Sequence, residues 1–346
     1  FGMTSAATVV PSAAPDAQTV GFNDVYLKTG SVIKYERSSP RTDALARITP
    51  ERFVSGTPLV KGFGSYELEA ADAARFTVTE DAGDAWTLKH SPHARALILK
   101  VGVIDGAKPF AWKKLKAAVD TADAGDTIFV RGTIQATNDA GNFGQILITK
   151  KISIEGEGGP AVLDANGEAG GKAAHRIFSV TGAELTLKNL TLKGGSAEKF
   201  DTSDPLASSG GAIRLNGGSA SLRNVTISGC KARTTGGCTG RGGGISVKSG
   251  SLNMENVTLS ANTATEDGGA IYIKDGSVTL INATIGGEQY HDGTDSAKTK
   301  GNKAKNGGGI YVTGGTLDIK GCTFTYNDAG FGTGGGIKAE NIAFAM

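Results

Sequence analysis

The sequence predicts an all-β protein built around a right-handed parallel β-helix with three strands per coil. Three observations support this fold class: a phrase that recurs along the chain, apolar residues that alternate inside each copy, and length variation confined to one place between copies. Glycine is abundant, at 52 of 346 residues, without the G-X-Y period of collagen. We therefore expect stacked repeats in which each unit contacts its neighbours along one axis.

Each copy of the phrase contains an apolar residue, here called the anchor, that usually follows a pair of glycines. The anchors are Phe178, Ile213, Ile245, Ile271 and Ile310, with a partial copy at Ile337. Successive anchors lie between 26 and 39 residues apart, whereas the spacing inside a copy is constant. The variable stretch always follows the constant block, which predicts loops that leave the coil at one corner, where added length costs little.

The copy that begins at Ile271 shows how a coil is built. Apolar residues alternate in Ile271–Ile273, in Val278–Leu280 and in Ala283–Ile285, and turn residues separate the three segments. Period-two alternation predicts strands with one buried face. Three short strands that stack on the same three strands of the next copy form a parallel β-helix, which advances about 4.8 Å per coil.

An asparagine stands eleven residues after four of the anchors, at Asn189, Asn224, Asn256 and Asn282. We interpret this column as a structural ladder at a turn, in which side-chain amides bond their neighbours in adjacent coils. Asparagine also tolerates the left-handed conformation that such a corner needs. Each of these sites matches the N-x-T glycosylation pattern, but we expect a buried ladder rather than a modified surface.

The chain is expected to divide into an N-terminal arm with a small β-rich domain, residues 1–98, and the β-helix, residues 99–346. Within the first part, the segment 24–36 resembles a hairpin around Lys28–Gly30. In the second, apolar residues near 111–123 fall on one helical face, which predicts an amphipathic helix that caps the open end of the β-helix.

Composition narrows the range of functions. The formal net charge is +2, from 36 basic and 34 acidic residues, which gives no electrostatic argument for binding nucleic acid. No apolar stretch approaches the roughly 20 residues that span a bilayer, so we expect no transmembrane segment in this chain. Because the chain starts at Phe1 rather than Met, we expect a processed product or a fragment, from which any signal peptide has already been removed.

Two short motifs carry a resemblance to a known family. GGAI occurs at Gly210–Ile213 and Gly268–Ile271, and FxxN occurs at Phe324–Asn327, with a near copy at Leu259–Asn262. Repeated GGAI and FxxN motifs along a β-helix resemble the polymorphic outer-membrane-protein repeats of bacterial autotransporter adhesins. The resemblance implies a β-helix at the cell surface, associated with the outer membrane, and a role in adhesion.

A polysaccharide lyase or glycoside hydrolase on a β-helix is the alternative function. A hydrolase needs two or three carboxylates about 5–10 Å apart, and a lyase needs a base beside Ca²⁺-binding carboxylates. The coil carboxylates do not recur as a cluster in the sequence: Glu255, Asp275 and Asp318. The neighbouring coil cations have no evident acidic partner set: Arg214, Arg241 and Lys248. We therefore predict no catalytic residues.

The histidines and cysteines do not indicate a metal site or a catalytic site. The segment HSPH holds His90 and His93, but further ligands are missing, so we expect a surface turn and predict no metal or cofactor. Cys230 and Cys238 lie in one loop, and we expect them to form a disulfide, which suits an oxidising exterior. Cys322 takes a position that small apolar residues occupy in other coils, so we expect a free, buried thiol.

The predicted function is that of a non-catalytic bacterial surface or extracellular protein, either an adhesin or a structural subunit of a surface assembly; a periplasmic location is the alternative. Expected partners are further copies of the chain or other surface proteins, and a ligand on a host cell or cell surface. Met346 falls in the middle of a coil, so we expect further chain or another subunit to cover that coil. Head-to-tail contacts of that kind would build filaments.

Overall fold

The structure is a computed structural model that describes residues 2–4, 25–36, 46–51, 56–79, 86–91, 94–167, 175–197, 204, 206–234, 238–290 and 298–340. It forms two compact units. The first comprises Phe1–Ile104 with Thr121–Asp123, and the second comprises Asp105–Asp120 with Ala124–Met346. Residues 99–104, which we expected in the β-helix, group with the N-terminal unit, because the strand Ala96–Val101 pairs with the strands Pro58–Gly62 and Trp86–Ser91.

The N-terminal unit contains two sheets around its own core. Its strands are Gly2–Thr4, Val25–Leu27, Ile33–Glu36, Ala46–Pro50, Pro58–Gly62, Phe76–Val78, Trp86–Ser91 and Ala96–Val101, with a 3₁₀ helix at Ala70–Arg75. One sheet has five strands and the other has three. Tyr35 is fully buried and meets Tyr66 and Phe76 edge-on, with ring centroids 5.9 and 5.4 Å away. Edge-to-face contact of this kind is favoured by the ring quadrupoles.

The hairpin expected around Lys28–Gly30 is wrong. Val25–Leu27 pairs in parallel with Ala46–Pro50, whereas Ile33–Glu36 pairs in parallel with Pro58–Gly62 in the other sheet. Leu27 and Ile33 are both buried. The turn between them therefore carries the chain from one sheet to the other around a shared core.

The second unit is a parallel β-helix, which confirms the predicted fold class. Its one described α-helix is Ala111–Thr121, and the strand Val103–Asp105 crosses the boundary between the units. The remaining strands are Asp126–Arg131, Thr133–Gln135, Ile146–Ile148, Ile152–Gly156, Ala161–Asp164, Phe178–Lys193, Ser196–Ala197, Ile213–Ser228, Lys231–Ala232, Ile245–Glu255, Thr258–Ser260, Thr263–Ala264, Ile271–Ile273, Ser277–Ile281, Thr284–Gly286, Gln289–Tyr290, Lys298–Thr299, Ile310–Val312, Thr316–Lys320, Thr323–Thr325 and Ile337–Ala339.

Three long columns of paired strands follow the predicted register. In the first column the anchors pair in succession: Phe178 with Ile213, Ile213 with Ile245, Ile245 with Ile271, Ile271 with Ile310, and Ile310 with Ile337. The second column runs through Leu252–Glu255 and the third through Thr258–Ser260. Inward side chains such as Leu252 and Leu259 are fully buried. Removing each of them from water stabilises the folded state by about 1.5–3 kcal/mol.

A short fourth column was not predicted. Ser196–Ala197, Lys231–Ala232 and Thr263–Ala264 pair in parallel. Ala232, Ala264 and Ala304 pack on one another in a small buried cluster. Two-residue strands leave too few alternating positions for a periodicity signal, so the sequence does not distinguish them from loops.

The predicted amphipathic helix forms at Ala111–Thr121 and packs on the early coils. Trp112 and Leu115 are fully buried, and the indole Nε1 of Trp112 donates to the carbonyl of Gly144 at 2.9 Å. The backbone N–H of Lys113 donates to Oδ1 of Asn142 at 3.0 Å, which satisfies one of the open amides of the first helical turn.

Candidate functional site

The four predicted ladder asparagines occupy one corner of the β-helix. Asn189, Asn224, Asn256 and Asn282 all have φ between 51° and 54°, so they take the left-handed conformation expected of this turn. Nδ2 of Asn224 donates to Oδ1 of Asn189 at 3.2 Å, and Nδ2 of Asn256 donates to Oδ1 of Asn224 at 3.4 Å. The expectation of burial is wrong, because Asn224, Asn256 and Asn282 are exposed. The left-handed turn directs their side chains away from the core.

A second asparagine ladder, which the sequence analysis missed, is buried. Asn262 and Asn302 are fully buried. Nδ2 of Asn262 donates to Oδ1 of Asn302 at 3.0 Å, and Nδ2 of Asn302 donates to Oδ1 of Asn327 at 2.9 Å. Each amide also donates to a strand carbonyl of a preceding coil, at Ile227, Leu259 and Ile285. The FxxN motif was the available signal, since Asn262 and Asn327 are its last residues.

Cys230 stands at the head of this buried ladder. Its backbone N–H donates to Oδ1 of Asn262 at 3.0 Å. The expected disulfide is not formed in the structure: Cys230 and Cys238 are both buried thiols whose Sγ atoms contact different carbonyls, those of Ser228 and Asp204. Burial raises the pKa of Cys230 to about 12, which disfavours the reactive thiolate. Cys322 is free but only half-buried.

The outward side of the first column carries a polar cluster, here called the cation–tyrosine column. It consists of the outward strand residues and the corner residues four positions before the anchors: Arg214, Arg241, Asp267, Tyr272, Asn306, Tyr311 and Lys338. The rings of Tyr272 and Tyr311 are stacked, with centroids 6.0 Å apart and 14° between planes. The Arg241 guanidinium lies 5.1 Å from the centre of one ring and Lys338 Nζ lies 5.3 Å from the other. Cations placed over aromatic faces in this way are attracted by the ring quadrupole.

The coil cations do have acidic partners, contrary to the sequence analysis. Asp204 accepts from Arg214 and, at 3.4 Å, from Nζ of Lys248. Asp267 lies 3.0 Å from Nε of Arg241. Asp204 is ten residues before Arg214 and 44 before Lys248 along the chain, in a variable stretch where no repeat pattern marks it. These pairs run along the axis from coil to coil and neutralise the cations.

Arg176, which lies beside the column, and Tyr311 within it have shifted pKa values. Burial lowers the pKa of Arg176 to about 9, and the nearby charge of Arg214 acts in the same direction. The Arg176 guanidinium donates to the carbonyls of Gly210 and Ser209, which holds the loop before Ile213 against the coils. Burial, followed by a hydrogen bond to Glu340, raises the pKa of Tyr311 far above its usual value. A phenol in that state is a poor general base at neutral pH.

The other candidate catalytic groups are dispersed. Glu255 pairs with Arg223 at 2.6 Å, and Asp275 lies 3.9 Å from Lys274. Asp318 lies in the second column, opposite Thr279. The expected turn at HSPH is wrong at its start, because His90 lies in the strand Trp86–Ser91, and His93 lies outside the described residues. Within the part of the chain that the structure describes, no group of three or more His, Cys, Asp or Glu side chains is placed to hold a metal ion.

Comparison with known proteins finds that part of the β-helix matches one family repeat. Residues 256–274 match the model of the Chlamydia polymorphic membrane protein repeat. The match runs from the exposed Asn256 through the buried Asn262 and the paired Asp267 to the strand that carries Tyr272. No curated protein matches the chain. No solved structure matches it either.

The match confirms the predicted resemblance and indicates a bacterial protein of the cell surface. Among the described residues, no helix is long and apolar enough to cross a membrane. The stretch of the β-helix at residues 256–274, with its paired strands and the buried Asn262, is therefore similar to the Chlamydia polymorphic membrane protein repeat.

Proposed function

We propose that the chain is a non-catalytic surface protein of the adhesin type, in which the β-helix presents binding surfaces outside the cell. The observation that carries this proposal is the pairing of the coil cations. Arg214, Arg241 and Lys248, the groups a lyase would use, are held by Asp204 and Asp267 in a ladder that links coils. A charge that stabilises its own scaffold is not available to a substrate.

The outward face of the second column is the proposed ligand-binding surface. Its outward side chains line an open groove of about 390 Å³: Thr186, Lys188, Ser221, Arg223, Asn253, Glu255, Thr279 and Ile281. The buried Leu222 and Met254 lie at its floor. Hydroxyl, amide and charged groups repeat there at the coil spacing, which suits an extended ligand with repeated hydrogen-bonding groups, such as a glycan.

Surface display and binding need separate tests. Protease treatment of intact native cells should remove the protein, whereas a periplasmic marker should survive. The purified full chain should then bind members of a glycan array. A groove variant carrying Ser221→Arg and Asn253→Arg should lose that binding, because two bulky cations would fill the groove.

The matched control for the groove is a double arginine variant on the outward face of the third column, Thr226→Arg with Thr258→Arg, where the backbone is extended and neither residue lines the groove. It should bind as the unaltered chain does. Two results would contradict the proposal. One is a chain protected from protease on intact cells. The other is release of unsaturated or reducing ends when the chain is incubated with polysaccharides, which would establish the enzyme instead.

A structural role in a surface assembly is the second form of this proposal. Light scattering over a concentration series measures self-association of the full chain. Growth of filaments with increasing concentration would support a structural subunit, and a constant monomer mass together with array binding would support an adhesin.

A further inference from the structure

Three side chains from three successive coils meet at the end of the cation–tyrosine column. Nζ of Lys338 lies 3.3 Å from Oδ1 of Asn306, and Nδ2 of Asn306 donates to Oδ1 of Asp267 at 3.0 Å. The backbones of Asp267 and Asn306 are paired in adjacent coils, so the carboxylate and the amide are held side by side. An amine, a carboxamide and a carboxylate in this order are the components of an amide exchange.

We propose that Lys338 and Asn306 form an intramolecular isopeptide bond, with Asp267 as the proton-transferring group. In this reaction the Nζ atom of Lys338 attacks Cγ of Asn306. The bond between Cγ and Nδ2 then breaks, ammonia leaves, and a secondary amide joins the two side chains. No oxidant, reductant or other reactant is consumed.

The proton balance can be followed through neighbouring groups. Lys338 pairs with Glu340 at 3.1 Å, which favours its ammonium form, so the reaction starts from the fraction of chains in which hydroxide from the buffer has taken a proton from Nζ and become water. After attack, Asp267 takes the remaining excess proton from Nζ and delivers it to Nδ2, which leaves as ammonia. The ammonia takes up a proton from water, so an ammonium ion replaces the original lysine charge.

Other contacts at the site favour the same reaction. The carboxamide oxygen of Asn306 also accepts from the backbone N–H of Thr333 at 3.4 Å, and this donor stays in place when negative charge develops on that oxygen. The stacked Tyr311 ring fixes Lys338, while Arg241 fixes Asp267. Asp267 is only 7% exposed, so bulk water competes little for the carboxamide that it positions.

The product would fasten the coil that begins at Ile337 to the coil that begins at Ile310 through a covalent bond. The two strands there pair over only three residues, Ile310–Val312 with Ile337–Ala339. A bond between side chains 32 residues apart would limit separation of these coils under load or heating.

The test is peptide mapping of the full-length chain after incubation in mildly alkaline buffer, which increases the fraction of neutral lysine. We expect an intact mass lower by one ammonia, together with a branched peptide that joins Asn306 to Lys338. Asp267→Asn preserves the shape of the side chain but removes the proton acceptor, and it should give a folded chain with both peptides linear.

The necessary control concerns the sequence Asn306–Gly307, since an asparagine before glycine can also lose ammonia by forming a cyclic imide with its own backbone. Lys338→Arg retains a cation over Tyr311 but cannot form the cross-link, so it should keep the full mass. Lys274→Arg, outside the triad, should still cross-link. Ammonia loss that persists in Lys338→Arg, or linear peptides from the incubated wild-type chain, would overturn the proposal.

Discussion

At the scale of single residues, two asparagine columns with similar chemistry differ in burial, and their substitutions should differ accordingly. Asn302→Ala removes the amide that donates to the carbonyl of Leu259 and to Asn327, and that accepts from the buried Asn262, so we expect destabilisation by about 2–4 kcal/mol. Asn256→Gly keeps the left-handed turn and removes only an exposed side chain, so its effect should stay below about 1 kcal/mol. Urea denaturation of both variants measures the difference. Equal losses would show that the buried ladder does not hold the coils together.

At the scale of elements, the packing of the α-helix on the early coils should depend on pH through His175. Burial lowers the pKa of His175 below the ordinary value for histidine, and the nearby charge of Lys116 acts in the same direction. The His175 ring lies 5.2 Å from that of Trp112, and its Nε2 has no hydrogen-bond partner. The unfolded chain then binds the proton more readily, so stability should fall as pH drops below about 6.5. His175→Gln should lack this loss of stability at low pH. The free energy of unfolding of both proteins, measured across pH, tests this expectation. If it changed with pH equally in both proteins, His175 would not be the group responsible.

At the scale of the whole β-helix, the excursion at residues 289–299 should be dispensable, whereas the constant blocks should not be. Gln289–Tyr290 and Lys298–Thr299 form an antiparallel excursion, and its base is already closed by the Lys300 N–H to Glu288 carbonyl bond at 3.0 Å. Replacing residues 289–299 with two glycines should therefore change stability by less than about 1 kcal/mol. Deleting Asn256 alone should be far more disruptive, because one residue inverts the inward pattern of a strand. Thermal unfolding of the two variants, followed by circular dichroism, tests both expectations. Loss of the fold in the loop variant would contradict the prediction that the excursion is dispensable.

The sequence by itself determined the features that depend on local spacing. Period-two alternation and the constant distances after each anchor were sufficient for the strand register, which pairs Ile213 with Ile245 and Ile245 with Ile271 as expected. The sequence also predicted the left-handed conformation of the asparagines, and it predicted the amphipathic helix that buries Trp112 and Leu115. These properties are encoded within one coil or one helical turn, where neighbours in sequence are neighbours in space.

Only the tertiary structure decided which polar groups meet. Stacking brings residues from successive coils into contact, so Asp267 reaches Arg241 in one coil and Asn306 in the next, and Asp204 reaches Lys248. The direction of each corner determined that the Asn256 column is exposed and the Asn262 column is buried. In the N-terminal unit, strands close in sequence joined different sheets because each found a parallel partner further along the chain. Such contacts depend on how far each variable loop carries the chain before it re-enters the stack, and the alternation of apolar residues does not encode that distance.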